Sequence, residues 1–323
     1  MQMRCFALAC ILASSALTAH ATSDDDAWIL LQKAAVAAHA LNYQGIFVYQ
    51  AGRQIKSVQI THYFNGKNEF ARNVILDGTP REVFSQGGEL TILSPRNEKV
   101  VIEKRRGQNM FPAILPTNLD AVKESYVLKV GEIERVAGRP TQLLYLTPTD
   151  GLRYSYRFWI DAEFGLLLKS VMLNPRQEVM ESIGFNQISL LNTVDLDWFQ
   201  PKIDAKKNYV IEGEADKTIA DNAANASWTI KDLPAGYRKV DQMKRMVPGR
   251  SQPITHIVFS DGLASVSLFI EPLLKGIKPK SGHKLVGTTS FYAHVIDGYQ
   301  IIVVGEVPEA TVAQVAHAIS FKK

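Results

Sequence analysis

The residue types that most often carry out chemistry are thinly spread in this chain. His39, His62, His256, His283, His294 and His317 stand singly, and no two have the spacing of metal ligands. The cysteines, Cys5 and Cys10, both fall within the first 21 residues. No G-x-S-x-G elbow, H-E-x-x-H helix, Walker loop or G-x-G-x-x-G turn occurs. Asp24, Asp25 and Asp26 are adjacent acids, but no further cation ligands follow at useful spacing. They read as charges placed at the positive end of a helix. Carboxylates are plentiful, yet nothing marks two of them as an acid/base pair. The balance favours a binding protein over an enzyme, with no cofactor and no metal.

The stretch best suited to binding is GLRYSYRFWIDAEFGLLLKS, residues 151–170. Strand alternation puts Leu152, Tyr154, Tyr156, Phe158 and Ile160 on one side, and Arg153, Ser155, Arg157 and Trp159 on the other. The return strand is apolar on both sides as well, and so is IFVYQ, which carries Phe47 and Tyr49. A sheet wet on one face shows a polar row there. Here either helices cover the second face or the sheet curls around a hollow, and the region offers few helices. The curl predicts an apolar cavity of lipid dimensions, lined by candidates Phe47, Tyr49, Phe111, Ile114, Tyr154, Tyr156, Phe158 and Trp159. A core closed by the protein's own side chains is the competing arrangement, and alternation does not say which strand face looks inward. Segment 109–126, with Met110, Phe111, Ile114 and Leu115 around Pro112 and Pro116, is kept out of a ladder by its prolines. It is either a loop packed on the core or a lid over the cavity.

The elements that must position these residues are mostly strands. Ser23 and the three aspartates open a helix over about 28–41, with Trp28, Leu31, Ala35 and Ala38 on one stripe. From Asn42 to about Ile188 short strands and short turns, among them Asn65-Gly66, predict an antiparallel meander. Parallel βαβ units are excluded, because no helix-length crossovers separate the strands. Residues 189–226 lose this periodicity and read as a linker, ordered in part near Trp198 and Phe199. Beyond Trp228, hairpins at Ser260–Leu263 and Asp297-Gly298 and a final helix with Val312, Val315, Ala316 and Ile319 on one stripe predict a small sheet carrying a helix. The expected organisation is a leader at 1–21, a first domain at 22–192, a linker at 193–226 and a second domain at 227–323. The leader has Arg4, an apolar run from Cys5 to Leu17 and Ala19-His20-Ala21, the pattern of a cleaved secretory signal. A soluble exported product without disulfides follows. Without Arg4, 35 basic residues stand against 32 acidic ones, too even a balance to imply nucleic acid.

Several short motifs occur in a specific order: Leu41-Asn42-Tyr43, Asp77-Gly78, Arg81-Glu82-Val83, Asp150 to Tyr156, Trp159-Ile160-Asp161, Leu167-Leu168, Leu233 to Tyr237, Ser260 to Leu263 and Val304 to Pro308. Together they resemble the RseB/MucB family of periplasmic regulators of the envelope-stress sigma factor, over essentially the whole mature chain. The resemblance implies an α+β, mainly antiparallel fold. A LolA/LppX-like open barrel comes first, then a small antiparallel-sheet domain with helices. It implies binding to the periplasmic region of an RseA/MucA-like anti-sigma factor, which is shielded from proteolysis. Release follows when lipopolysaccharide or lipoprotein acyl chains bind, and self-association as a homodimer is part of the same expectation. Phe259, Leu263, Tyr292 and Tyr299 are the candidate partner contacts in the second domain. A LolA-type lipid carrier is the alternative, which leaves the second domain without a purpose, and a hydrolase lacks an identifiable acid/base pair.

Overall fold

The structure, a computed structural model, describes residues 24–96, 98–104, 110–203, 209–213, 218–219, 228–246, 252–273, 276 and 278–321. The leader and Ser23 lie outside them. Helix α1 (Asp24–Ala40) precedes a sheet formed by β1 (Tyr43–Ala51), β2 (Gln54–Phe64), β3 (Glu69–Ile75), β4 (Glu82–Gln86), β5 (Glu89–Ser94) and β6 (Lys99–Lys104). After α2 (Asp120–Ser125) the same sheet gains β7 (Tyr126–Val136), β8 (Arg139–Pro148), β9 (Ser155–Asp161), β10 (Leu167–Leu173) and β11 (Val179–Leu190). With β12 (Val210–Gly213) the order is β12-β6-β5-β4-β3-β2-β1-β11-β10-β9-β8-β7. The meander is antiparallel throughout except for β12, which lies parallel to β6. That pairing comes from within the stretch read as linker, whose polar composition hides it.

The sheet curls around α1, which packs on β7, β9 and β10. The helix can lie this close because its inner stripe is small: Ala27, Ala34, Ala35 and Ala38 are all buried, with Leu31 between them. Segment 110–125 folds into the same concavity and buries Phe111, Ala113, Leu115, Leu119 and Val122. The wide hollow expected from the sequence is therefore corrected. Both faces of the sheet are apolar, but the inside is filled by one small-residue helix and the proline-bounded segment. Close packing also fixes Gly45, where β1 meets β11 beside a bulge at Ile46/Phe47. A Cβ at Gly45 would lie 2.5 Å from the Gln187 carbonyl and 2.9 Å from the Phe185 ring.

The first turn of the linker is pinned to this sheet. A 3-10 turn, Leu196–Phe199, buries Phe199 against Tyr63 and Phe70. The Arg72 guanidinium sits 4.1 Å from the centre of the Trp198 ring and pairs with Glu82 at 2.7 Å.

The second sheet contains β13 (Thr218–Ile219), β15 (Arg238–Arg245), β16 (Ile254–Ser260), β17 (Ser265–Pro272), β18 (Gly282–Val286), β19 (Thr289–Ile296) and β20 (Tyr299–Gly305). Its order is β13-β15-β16-β17-β20-β19-β18. Strand β14 (Trp228–Ile230) pairs with the terminal β21 (Ile319–Phe321). Helix α3 (Glu309–His317) covers one face of the sheet, burying Val312, Val315 and Ala316 against Ile257, Leu268 and Val303. Asp297 and Gly298 both have positive φ, as the Asp-Gly hairpin tip requires. Among the described residues no helix is long and apolar enough to cross a membrane.

Candidate functional site: the seam between the two domains

Three of the sequence motifs converge where the domains meet. Arg153, just before β9, has a side chain with no exposed surface. Its Nε donates to Asp261 Oδ2 at 2.7 Å, and Asp261 is itself fully buried. Its remaining nitrogens reach Asp150 and the Ala235 carbonyl. The guanidinium carbon lies 4.9 Å from the centre of the Tyr237 ring and 5.9 Å from that of Tyr126. Asp261 Oδ1 accepts from the amides of Leu263 and Ala264 at 3.0 and 2.8 Å, so the turn that follows β16 is built around the buried carboxylate. Burial, with the charge of Asp261 second, pushes the hydroxyls of Tyr126 and Tyr237 well above the usual tyrosine range. Both stay un-ionised at neutral pH, and the Tyr126 hydroxyl donates to Asp261 Oδ2 at 3.5 Å.

Gly236 completes this junction. Its φ is +79°, and a Cβ there would lie 2.5 Å from Ser125 Oγ and 2.9 Å from Arg153 Nη2. On the far side Thr311 Oγ1, in the first turn of α3, donates to the Leu152 carbonyl at 2.5 Å.

Beside this junction lies a cavity of about 220 Å³. Phe111, Ile114, Tyr156, Met172, Glu181 and Ile183 wall it from the first domain, and Leu263, Ser265 and Glu306 from the second. It is smaller than the ~300–1,000 Å³ of ordinary small-molecule sites. Burial, and then the neighbouring Glu306 charge, pushes the Glu181 carboxyl up to about 7, while the Tyr49 hydroxyl opposes the shift by hydrogen bonding to it. Tyr49 is in turn raised by its own burial and by Glu181.

The cavity brings together Phe111, Ile114, Tyr156 and Leu263 from the sequence candidates, with Tyr49 behind Glu181. Phe47 is inside the first domain, with ring centres 5.1 Å from Phe111 and 6.0 Å from Phe185. Phe158 is fully buried there, 5.6 Å from the Tyr156 ring. Tyr154 is buried, its hydroxyl within reach of Ser290 and the Glu306 charge. Trp159 is on the opposite face of the sheet and does not line the cavity. It packs with Leu143, Val171 and Leu173, donates from Nε1 to Glu134 Oε2 at 2.8 Å, and lies under Lys169 Nζ at 4.5 Å. Phe259 is in the core of the second domain, and Tyr299 stacks on Phe321 at 4.5 Å. Tyr292 is half-buried, its ring centre 5.3 Å from that of His317.

Trp159→Ala should therefore lower stability by about 3 kcal/mol, as for a packed aromatic. Uptake of an apolar ligand should be unchanged. Urea unfolding and titration with a fluorescent fatty acid check the two halves of this prediction.

Sequence reasoning missed Arg153 and Asp261 as a pair, and gave neither Glu181 nor Glu306 a role. The first two lie in quoted motifs, but nothing in either motif announces that they meet. The glutamates are far apart in the chain, and although Glu306 lies in the 304–308 motif, nothing there announces that it meets Glu181.

Among the described residues no group of three or more His, Cys, Asp or Glu could hold a metal ion. One cluster resembles a catalytic dyad: Glu69 faces His39 Nδ1 at 3.0 Å and His62 Nε2 at 3.1 Å. It ties the end of α1 to β2 and β3. Burial alone would raise the Glu69 carboxyl, but the hydrogen bonds to both histidines outweigh it and hold the group well below the usual carboxylate range.

A curled, mainly antiparallel sheet locked to a small sheet-and-helix domain defines a two-domain α+β protein. The chain belongs to the MucB/RseB family: the model of the MucB/RseB N-terminal domain matches residues 26–203 and that of the C-terminal domain residues 222–320. It is 28% identical to the sigma factor AlgU regulatory protein MucB of Pseudomonas aeruginosa, over 96% of this chain and 95% of that protein. It is 27% identical to the sigma-E factor regulatory protein RseB of Escherichia coli K12, over 98% of this chain and 97% of that one. Among solved structures it is similar to MucB in complex with MucA(peri), with a TM-score of 0.73 and 27% identity, over 92% of this chain and 100% of that chain.

Proposed function

We propose that this protein is an exported regulator that binds the periplasmic region of a transmembrane anti-sigma factor of the RseA/MucA kind. It shields that region from proteolysis and lets go when the acyl chains of lipopolysaccharide or of a lipoprotein bind. The observation that carries this reading is the seam. The motifs at 150–156, 233–237 and 260–263 fix one arrangement of the two domains through Arg153, and the 304–308 motif places Glu306 in the cavity beside it. A ligand that prefers a different arrangement then has something to act on, and useful coupling needs a differential affinity of about 1–3 kcal/mol. Leu263 joins the turn around Asp261 to the cavity wall, which gives acyl-chain entry a direct route to the seam.

The signal sequence supports export, and full-length similarity to MucB, solved with MucA(peri), supports the partner. Acyl-chain uptake requires segment 110–119 to move, because Phe111, Leu115 and Leu119 occupy the concavity. The test is to mix the purified mature protein with the periplasmic segment of an RseA/MucA-like anti-sigma factor from the same organism. A complex at micromolar concentration that slows proteolytic cleavage of the segment is expected. No complex, or no protection, would remove the reading.

A further inference from the structure

The cavity at the seam holds two carboxylates from opposite domains and no Lys or Arg in its lining. Glu181 comes from β11 of the first domain, and Glu306 follows β20 in the second. We propose that this pair makes the junction a pH-dependent latch, closed while Glu181 is protonated and loosened when both carboxylates are charged.

Among the described residues that line the cavity, no Lys or Arg neutralises the pair across the seam. Tyr49 from β1 hydrogen-bonds to Glu181, and Tyr156 from β9 and Ser170 from β10 line the same space. Thr288 donates to Glu306 Oε1 at 2.8 Å, and Tyr154 feels the Glu306 charge. The turn after β16 supplies Leu263, Ala264 and Ser265, none of which titrates. An adjoining cavity of about 290 Å³ shares Ser265 and Glu306 and adds one titratable group, His256. His256 and Glu306 belong to the same domain, so whatever interaction they have is nearly the same whether the domains are closed or apart. What changes on opening is the burial of Glu181 and its repulsion from Glu306.

The direction follows from linkage. In the closed form the Glu181 carboxyl is raised from 4.5 to about 7. The closed form therefore binds the proton more tightly than an open form in which Glu181 meets water. The closed arrangement carries no penalty below about pH 4.5 and loses ground as pH rises toward 7, after which the loss levels off. If opening returns Glu181 fully to its ordinary value, the open-to-closed ratio rises by up to ~70-fold between pH 5 and pH 8. The buried pair of Arg153 and Asp261 opposes this throughout, so the latch tunes a junction that the ion pair holds.

The test needs neither lipid nor partner, so its failure and that of the functional reading are separable. The chain has no cysteine beyond Cys10, which allows one dye in each domain at Lys67→Cys and Lys284→Cys. Energy transfer is followed from pH 5 to pH 8 in the dye-labelled mature protein, in Glu181→Gln and in Glu306→Gln. The expected result is a separation that grows with pH in the parent protein and a flat response in Glu181→Gln. Glu306→Gln should give a smaller response with a lower midpoint, because burial of Glu181 persists without its neighbour's charge. Should Glu181→Gln fail to fold, the Glu306→Gln comparison decides. A parent protein whose separation does not change over this range, or variants that respond like the parent, would overturn the proposal.

Discussion

Arg153→Ala should be among the most damaging single substitutions in the molecule. It leaves Asp261 fully buried without its cation, and breaking one partner of a buried pair costs about 3–5 kcal/mol. The Ala235 carbonyl loses its donor, and the rings of Tyr126 and Tyr237 lose the planar group packed between them. The damage should be local to the seam. The core of each domain is untouched, so urea unfolding should separate into two transitions rather than shift as one. Arg153→Met combined with Asp261→Asn provides the control, since it removes both charges together and leaves no unpaired buried ion, while the Asn carbonyl can still accept from the Leu263 and Ala264 amides. Recovery of a single transition in the double variant would show that the single variant's loss is electrostatic. Equal damage in both would mean that shape, not charge, holds the seam.

Phe111→Ala should have the second largest effect, and its two readouts should move in opposite directions. Phe111 is buried against Phe47 and Phe185, with ring centres 5.1 Å from each, and it also walls the cavity. Removing the ring should lower stability by about 3–5 kcal/mol through lost burial and the space left behind. That space is continuous with a cavity already open at the seam, so a fluorescent fatty acid should bind more tightly to the variant than to the parent. Destabilisation without a gain in uptake would show that segment 110–119 is core rather than the part an acyl chain displaces.

The sequence and the structure agree where the physics is local. Alternation of apolar residues located the strands of the first sheet, and Asn-Gly and Asp-Gly marked hairpin tips, because a positive φ leaves few residue choices. Alternation also placed Phe158 and Trp159 on opposite faces, but it could not say which face was enclosed. Here both faces are buried: α1 and segment 110–125 cover one, and long side chains such as Lys169 and Glu134 cover the other. The filling of the concavity was not legible, since it depends on how deeply a stripe of alanines lets α1 sink. Asp261 reads as an ordinary turn residue and Arg153 as a strand arginine until the fold brings them to 2.7 Å. Nothing local marked Glu181 or the Glu306 of the 304–308 motif as a pair, because they meet only where the two domains touch.

The central claim is that occupation of the first domain by an acyl chain is transmitted through the seam to the partner. It is tested most directly by titrating the mature protein into a fluorescently labelled periplasmic segment of the anti-sigma factor, with and without lipid A. The account predicts binding at micromolar concentration or tighter, weakened about tenfold or more by the lipid, in line with a coupling of 1–3 kcal/mol. In the Arg153→Met, Asp261→Asn protein, where the charges that fix the arrangement are gone and the turn keeps its acceptor, the lipid effect should shrink. Affinity for the segment that lipid A leaves unchanged, while the lipid itself binds, would contradict the account.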